Sequence, residues 1–206
     1  FEIEEALQKS GIPVFHDDQH GTAIVLLAAL INASKLAGKS MNDLVVVING
    51  AGAAGTAIAD LLRCVGQDPT VCEPVKEVIV CDSKGIITQD RADIVNNPHK
   101  IRLASISNRS DKHGGLDDAM DGADVFIGVS KGNILTGKMI KKMNDKPIIF
   151  AMANPIPEIM PDVAHANGAF IVGTGRSDFP NQVNNVLAFP GVFRGALNVR
   201  AKTITN

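Results

Sequence analysis

Five short apolar runs, each followed by a polar or glycine-rich loop, set the rhythm of this chain. Residues 44–48, 75–81, 123–129, 147–152 and 169–172 are rich in Val, Ile and Ala and lack strict polar alternation. That pattern predicts strands buried on both faces of a parallel sheet. Segments of helical rhythm lie between them: 53–66 after the first strand, 90–109 after the second with a break at Asn97-Pro98, then 116–120. A further helix is expected over 136–143 with Thr136 as its cap. Ahead of the sheet, 3–9 reads as the end of an amphipathic helix stopped at Ser10-Gly11. Residues 12–15 read as a short extended piece, where Pro13 suits an edge or the entry to a strand. Residues 23–36 are nearly all apolar, a helix buried on most sides, broken at Gly38-Lys39-Ser40. The tail over 183–199 is expected to hold one helix, starting after Pro190-Gly191.

Alternating strands and helices imply right-handed crossovers and a parallel sheet. The first strand runs directly into Gly50-Ala51-Gly52-Ala53-Ala54-Gly55, a G-x-G-x-x-G turn that opens a helix. The expected class is therefore α/β: a Rossmann-like, doubly wound parallel sheet with helices on both faces. Gly50 permits the tight turn, Gly52 leaves no side chain between backbone and pyrophosphate, and Gly55 lets the helix pack close to the strand. The free N–H groups and dipole at the helix start would hold the phosphates. A glycine-rich turn can also serve packing alone. Ligands in such sheets sit beyond the carboxyl ends of the strands. The loops at 50–55, 82–85, 129–132 and 154–158 should gather there, and Val129 and Ser130 are placed with Gly50–Gly55 among the cofactor contacts. Asp82, ending the second strand, is where an acid that accepts both ribose hydroxyls is expected. Its charge would repel a 2′-phosphate, which leans to NAD over NADP. Lys84 pulls the other way, and an ordinary turn Asp before Ser-Lys-Gly is the alternative, less favoured once fold and position are counted.

Length and composition narrow this picture. The 206 residues fit one α/β domain, or one domain and part of another. A net charge of −2 leaves no basic footprint for nucleic acid. Lys and Asp interrupt the apolar runs before membrane-spanning length, so no membrane is expected. No signal peptide is expected. Cys64, Cys72 and Cys81 lack zinc-like spacing and read as free thiols in a reducing compartment, which places the protein in the cytoplasm. The chain opens on Phe1 already in helical rhythm and contains neither Tyr nor Trp. It reads as a single NAD(P)-binding domain over 1–206 taken from a longer chain, with a lead-in segment over 1–40.

That lead-in carries His16-Asp17-Asp18-Gln19-His20-Gly21-Thr22. A hard divalent cation such as Mg2+ or Mn2+ prefers carboxylate oxygen. One of the two adjacent acids could ligate while the other orients it. On the residues alone, capping of the following helix by either acid is preferred over ligation. His16 and His20 read as hydrogen-bonded structural residues. Asn154, before Pro155, and Asn184-Asn185 can bond a nicotinamide amide, a ribose or a substrate carboxylate, or can simply build turns. Arg176 and Arg194 read as residues of solvated faces.

Taken together, the stretch from Ile12 to Ala23, the glycine loop from Asn49, Asp82-Ser83-Lys84-Gly85, Asn154-Pro155-Ile156-Pro157-Glu158, Gly175-Arg176-Ser177-Asp178-Phe179-Pro180 and Asn184-Asn185-Val186-Leu187-Ala188-Phe189-Pro190-Gly191 resemble malic enzymes of the bacterial type. Their order and approximate spacing agree over nearly the whole chain. Phe179 stands where the family often has Tyr.

The resemblance implies oxidation of L-malate with NAD or NADP, decarboxylation to pyruvate and CO2, and a need for Mg2+ or Mn2+. It makes Asp18 a metal ligand and Asp17 its catalytic partner. It places the dinucleotide on the glycine loop, Ala51 to Ala54 above all, and sets Asn154 and Asn185 against cofactor or substrate. It also implies that a general-base Lys, an acid Tyr and a Glu-Asp metal pair belong to an N-terminal catalytic domain that has no counterpart here. This chain alone is then expected to be inactive, and the full protein to be a homodimer or larger. A malolactic-type enzyme, a non-catalytic dinucleotide-binding module and an amino-acid dehydrogenase domain are the alternatives, the last disfavoured because hydride transfer to an imine needs no cation.

Overall fold

The computed structural model describes residues 2–68 and 70–204. Its centre is a six-stranded sheet of β1 (Val45–Asn49), β2 (Glu77–Asp82), β3 (Gly85–Ile86), β4 (Val125–Gly128), β5 (Ile148–Ala151) and β6 (Ile171–Thr174). The spatial order is β3-β2-β1-β4-β5-β6. All neighbours are parallel except β2 and β3. The two-residue β3 is absent from the sequence expectation. It pairs only Cys81 with Ile86 and Asp82 with Gly85, too short a run to carry a period.

The apolar runs form central strands because both faces are covered. Alternate side chains point to opposite faces, so Val46, Ile48, Val78, Val80, Val125 and Ile127 enter one core. Val47, Ile79, Cys81, Phe126 and Ile149 enter the other. The first core lies under α2 (Thr22–Ala37), α3 (Ala53–Leu62) and α4 (Pro98–Ile106). The second lies under α5 (Leu116–Ala119), α6 (Gly137–Ile140) and α7 (Pro161–Ala166). A doubly wound α/β domain results, as expected. Asp124 ties the start of β1 to β4, accepting from the Val45 amide at 2.9 Å and from Lys39 Nζ at 2.6 Å. At the far edge the chain folds back along β6: Val183 N–H donates to Thr174 O at 2.7 Å, and Thr174 N–H to Asn181 O at 3.3 Å.

The periphery departs from the sequence reading in several places. The chain before α2 winds as a π-helical turn, Asp17–Gly21, preceded by α1 (Glu2–Gln8). Residues 12–15 join no strand, since Pro13 and their half-exposed surroundings leave no ladder to enter. The 90–109 helix reduces to a 3-10 turn and α4, starting at Pro98 with Asn97 Oδ1 capping the Lys100 amide. Pro98 lacks a donor and can only open a helix. The tail helix α8 (Phe189–Asn198) begins one residue before Pro190 rather than after Gly191.

Two compositional expectations are corrected. Cys64 and Cys72 form a disulfide, because the chain reverses after α3 and brings their Cα atoms within 5.9 Å. Cys81 alone remains a free thiol, and burial pushes it up to about 12. The premise of three free thiols is lost, and with it the inference to a reducing compartment. The helical run Asp17–Ala37 does reach membrane-spanning length, with mean hydropathy 1.4. Leu26, Leu30, Ala33 and Ala37 on this run are buried inside the domain, as in a core helix.

Candidate functional site

The carboxyl ends of β1, β2, β4 and β5 meet on one edge, and two recesses open there. The larger, about 750 Å3, is lined by Gly50, Ala51, Gly52, Asp82, Lys84, Val129 and Ser130 among others. The smaller, about 220 Å3, is lined by Asp18, Thr22, Ala54, Val129, Ser130, Asn154 and Asn185 among others. Val129 and Ser130 border both, so a ligand running from one recess to the other must cross them. Of the predicted site residues, Gly50, Ala51, Gly52, Asp82, Val129 and Ser130 line the larger recess and Asp18, Ala54, Val129, Ser130, Asn154 and Asn185 the smaller, whereas Asp17, Ala53 and Gly55 line neither.

The three glycines of the turn do three different jobs. Gly50 has φ +134°, and a Cβ there would lie 2.8 Å from Val129 O. Gly55 faces the backbone of the same turn: a Cβ would stand 1.8 Å from Gly50 O. Gly52 is in open space, with nothing within 4 Å of its missing Cβ. It is the N-cap of α3, where no side chain satisfies the first-turn N–H groups. Uncapped N–H groups at the start of a ten-residue helix, beside a glycine that keeps the approach clear, fit a pyrophosphate.

Asp82 sits where the ribose acid was expected, but its oxygens are engaged. Oδ1 accepts from Arg91 Nη1 at 3.0 Å and from the Lys84 amide at 2.9 Å. Oδ2 accepts from Arg91 Nη2 at 3.0 Å and from Lys100 Nζ at 2.6 Å. A carboxylate has about four lone-pair sites, and all are used. Burial raises the carboxyl, but the bonds from Arg91, Lys100 and Lys84 outweigh it and hold the group below the usual Asp range. The sequence offered no signal for Arg91 or Lys100, nine and eighteen residues away in a stretch read as helix and coil.

At the other end, neither Asp17 nor Asp18 caps a helix. Both fall inside the π-turn, whose N-cap position is His16 without a side-chain cap bond. Asn185 Nδ2 donates to Asp17 Oδ2 at 2.6 Å and to Asp18 Oδ1 at 3.3 Å. Asp17 Oδ1 is buried with no hydrogen-bond partner, and a Cβ on Gly21 would lie 2.1 Å from it. Glycine at 21 thus makes room for this carboxylate. Asp18 is exposed toward the smaller recess. An exposed carboxylate beside one that is short of a donor is a donor set suited to a hard cation. Among the described residues, no group of three or more His, Cys, Asp or Glu is placed to hold a metal ion.

The histidines are structural as read: His16 Nδ1 meets Gln19 Oε1 at 3.1 Å and His20 Nε2 meets Glu4 Oε1 at 2.9 Å. Asn154 is exposed at the rim, and Gly175 would crowd its Nδ2 at 3.0 Å with any Cβ. Asn184 is spent on the turn, its Oδ1 accepting from the Val186 amide and its Nδ2 donating to Gly175 O. Arg176 is bidentate to Asp178, donates to Pro155 O at 3.0 Å and lies over the Phe179 ring. Sequence reasoning missed Thr22, Met152 and Val183 in the recess wall, and Asn49, which donates to Ser130 Oγ at 2.7 Å. Apolar or isolated polar residues at strand and helix ends carry no chemical signature of their own.

The chain is similar to known proteins over nearly its whole length. The family model described as malic enzyme, NAD binding domain, matches residues 19–206. A bifunctional malic/malolactic enzyme of Bacillus subtilis is 58% identical, over 99% of this chain and 48% of its own length. An NADP-dependent malic enzyme of Rhizobium meliloti is 48% identical, over 100% of this chain and 26% of its own. The crystal structure of an NAD-dependent malic enzyme from Thermotoga maritima superposes with a TM-score of 0.91 at 49% identity, covering 100% of this chain and 52% of that one. The chain spans about half the length of these relatives, or less.

Proposed function

The chain belongs to the malic enzyme family, as that family's NAD binding domain, and from this premise we propose that it serves the oxidative decarboxylation of L-malate to pyruvate and CO2. The observation that carries the proposal is the pair of recesses joined at Val129 and Ser130, one holding the glycine turn and the other the Asp18–Asn185 contact. Gly50–Gly55 and the start of α3 would hold the pyrophosphate of a dinucleotide, and Asp18, Asn154 and Asn185 border the recess that would take its nicotinamide end.

When bound, NAD(P) accepts the hydride from C2 of malate, and Mg2+ or Mn2+ polarises the oxygen on that carbon. Asp18 is the ligand this chain offers to the cation. Asp17 backs it, and Asn185 fixes the orientation of both carboxylates by donating to each. Asn154 and Asn185 border the space left for the hydroxy acid and hold it by uncharged hydrogen bonds. Once C2 is a ketone, the bond between C3 and the β-carboxylate breaks as CO2 leaves, its electron pair passes into the enolate of pyruvate, and a proton must return to C3. No residue of this chain is assigned to that proton transfer. We place it in the remainder of the longer protein, in the N-terminal catalytic domain, and the isolated chain is expected to be inactive.

Either NAD or NADP suits the site. The lean to NAD rested on a free Asp82 carboxylate. With its oxygens committed to Arg91, Lys100 and the Lys84 amide, that ground for excluding a 2′-phosphate is gone. The Bacillus subtilis relative's name adds a second reading, in which the full protein also converts malate to lactate.

The test is malate-dependent formation of NAD(P)H by the full-length protein in the presence of Mn2+, with pyruvate and lactate quantified separately. Asp18→Ala should abolish the metal-dependent rate. Undiminished turnover in that variant overturns the assignment.

A further inference from the structure

Glu158 is fully enclosed, at 0% exposure. Its carboxyl is met by backbone amides rather than by a cation. Oε1 accepts from the Ser130 amide at 3.3 Å and Oε2 from the Ala153 amide at 3.0 Å. Those amides belong to different loops, one after β4 and one after β5. Ser130 and Ala153 both line the smaller recess, with Asp18, Asn154 and Asn185.

The surroundings are built to admit this side chain. A Cβ on Gly128, the last residue of β4, would lie 2.2 Å from Glu158 Cδ. The main chain around Glu158 joins the same two loops again: Asn133 N–H donates to Pro157 O at 3.1 Å and Leu135 N–H to Glu158 O at 3.0 Å. From the other side, Asn49 holds the Ser130 hydroxyl. Two backbone donors converge on one point. A carboxylate answers both with acceptors alone, whereas an amide brings a donor and an aliphatic side chain brings neither. Enclosing a carboxyl is unfavourable, and burial, opposed by these amides, raises its pKa above the ordinary Glu value. Loops that needed only to close could have been satisfied by backbone carbonyls.

We propose that Glu158 is a positioning residue for the reacting end of the cleft, setting the spacing between the β4 and β5 loops. Through Ser130 and Ala153 it fixes where Val129, Ser130 and Asn154 stand against the nicotinamide and the hydroxy acid, touching neither itself. The adenosine half of the cleft, built on Gly50–Gly55 and the loop after β2, meets Glu158 only indirectly, through the shared border at Val129 and Ser130. The proposal rests on reading the chain as a malic enzyme nucleotide domain.

The experiment compares two probes on the full-length protein by calorimetry: NAD(P)+, and ADP-ribose, which lacks the nicotinamide. Glu158→Gln sets an amide donor against one of the two backbone N–H groups. Glu158→Asp keeps the charge but shortens the reach, so it cannot span both, and serves if the first variant does not fold. In either variant NAD(P)+ affinity should fall at least about tenfold and the KM for malate should rise, while ADP-ribose affinity stays within about twofold. A merely structural role would weaken both probes together. Equal loss of both, or no loss of either, overturns the positioning role. Failure of the unaltered protein to bind NAD(P)+ at all overturns the underlying reading of the site instead.

Discussion

Gly52 and Gly55 lie three residues apart in one turn, and alanine at each should fail in a different way. At Gly55 the new Cβ would stand 1.8 Å from Gly50 O, a backbone atom that cannot swing aside. Relief requires α3 to retreat from β1 by more than an ångström, disturbing Ala57, Ile58 and Leu62 in the core below. Overpacking of this kind costs about 1–3 kcal/mol, and contact with fixed backbone puts Gly55→Ala at roughly 3. At about 2–4 °C per kcal/mol for a domain of this size, its unfolding midpoint should drop by roughly 6–12 °C. Gly52 has φ −88° and open space around it, so alanine there leaves the fold undisturbed. Its methyl group instead occupies the approach to the N–H groups of α3. Loss of one charge-assisted hydrogen bond, about 1.5–3 kcal/mol, corresponds to a roughly 10- to 150-fold weaker nucleotide. Thermal unfolding and calorimetric titration with NAD(P)+ on both variants separate the two effects. Unchanged nucleotide affinity in Gly52→Ala, or equal destabilisation by both, would refute the division of labour.

Further outcomes follow from other contacts. Asp82→Ala releases Arg91 and Lys100 from their shared acceptor, so NADP+ should gain on NAD+ by roughly tenfold or more through one charge-assisted bond; an unaltered ratio of dissociation constants counts against it. Because the folded Asp82 carboxyl titrates below its ordinary range, its pairing stabilises the fold above the unfolded Asp pKa and is lost as pH falls through the lowered value. The stability difference between the unaltered protein and Arg91→Ala should therefore shrink on acidification, and chemical denaturation showing a pH-independent difference contradicts this. Asn185→Ala removes the donor shared by Asp17 and Asp18, and Mn2+ affinity or turnover of the full-length protein should fall about 10- to 100-fold. A Mn2+ titration that matches the unaltered protein rules out the orienting role.

The strands and the glycine turn were legible because their physics is local. A run such as Val45–Ile48 has no solvated face, and a turn with φ +134° at residue 50 accepts little but glycine. The expected ends of the central strands fall within one or two residues of those observed. What the sequence concealed is set by long-range partners. Asp82 looked like a free acid because Arg91 and Lys100 reach it only after β3 and α4 fold back. On the residues alone Asp17 and Asp18 suit helix caps, and only the resemblance makes Asp18 a ligand; Asn185, far along the chain, is what closes over both. Cys64 and Cys72 read as thiols because nothing in their spacing announces the reversal after α3. Glu158 was visible in its motif, yet its burial depends on Gly128, which looks like any strand residue until a Cβ is built there.

The two margins of the sheet bear on how copies of this domain can meet. On one side β3 offers two residues of backbone, and on the other β6 is already occupied by the returning segment around Asn181–Val183. Neither margin leaves a long row of free donors and acceptors to template another strand, so fibrillar growth by strand addition has no foothold on the folded domain. Any association between copies of the described domain would therefore have to run through side chains rather than through an added strand.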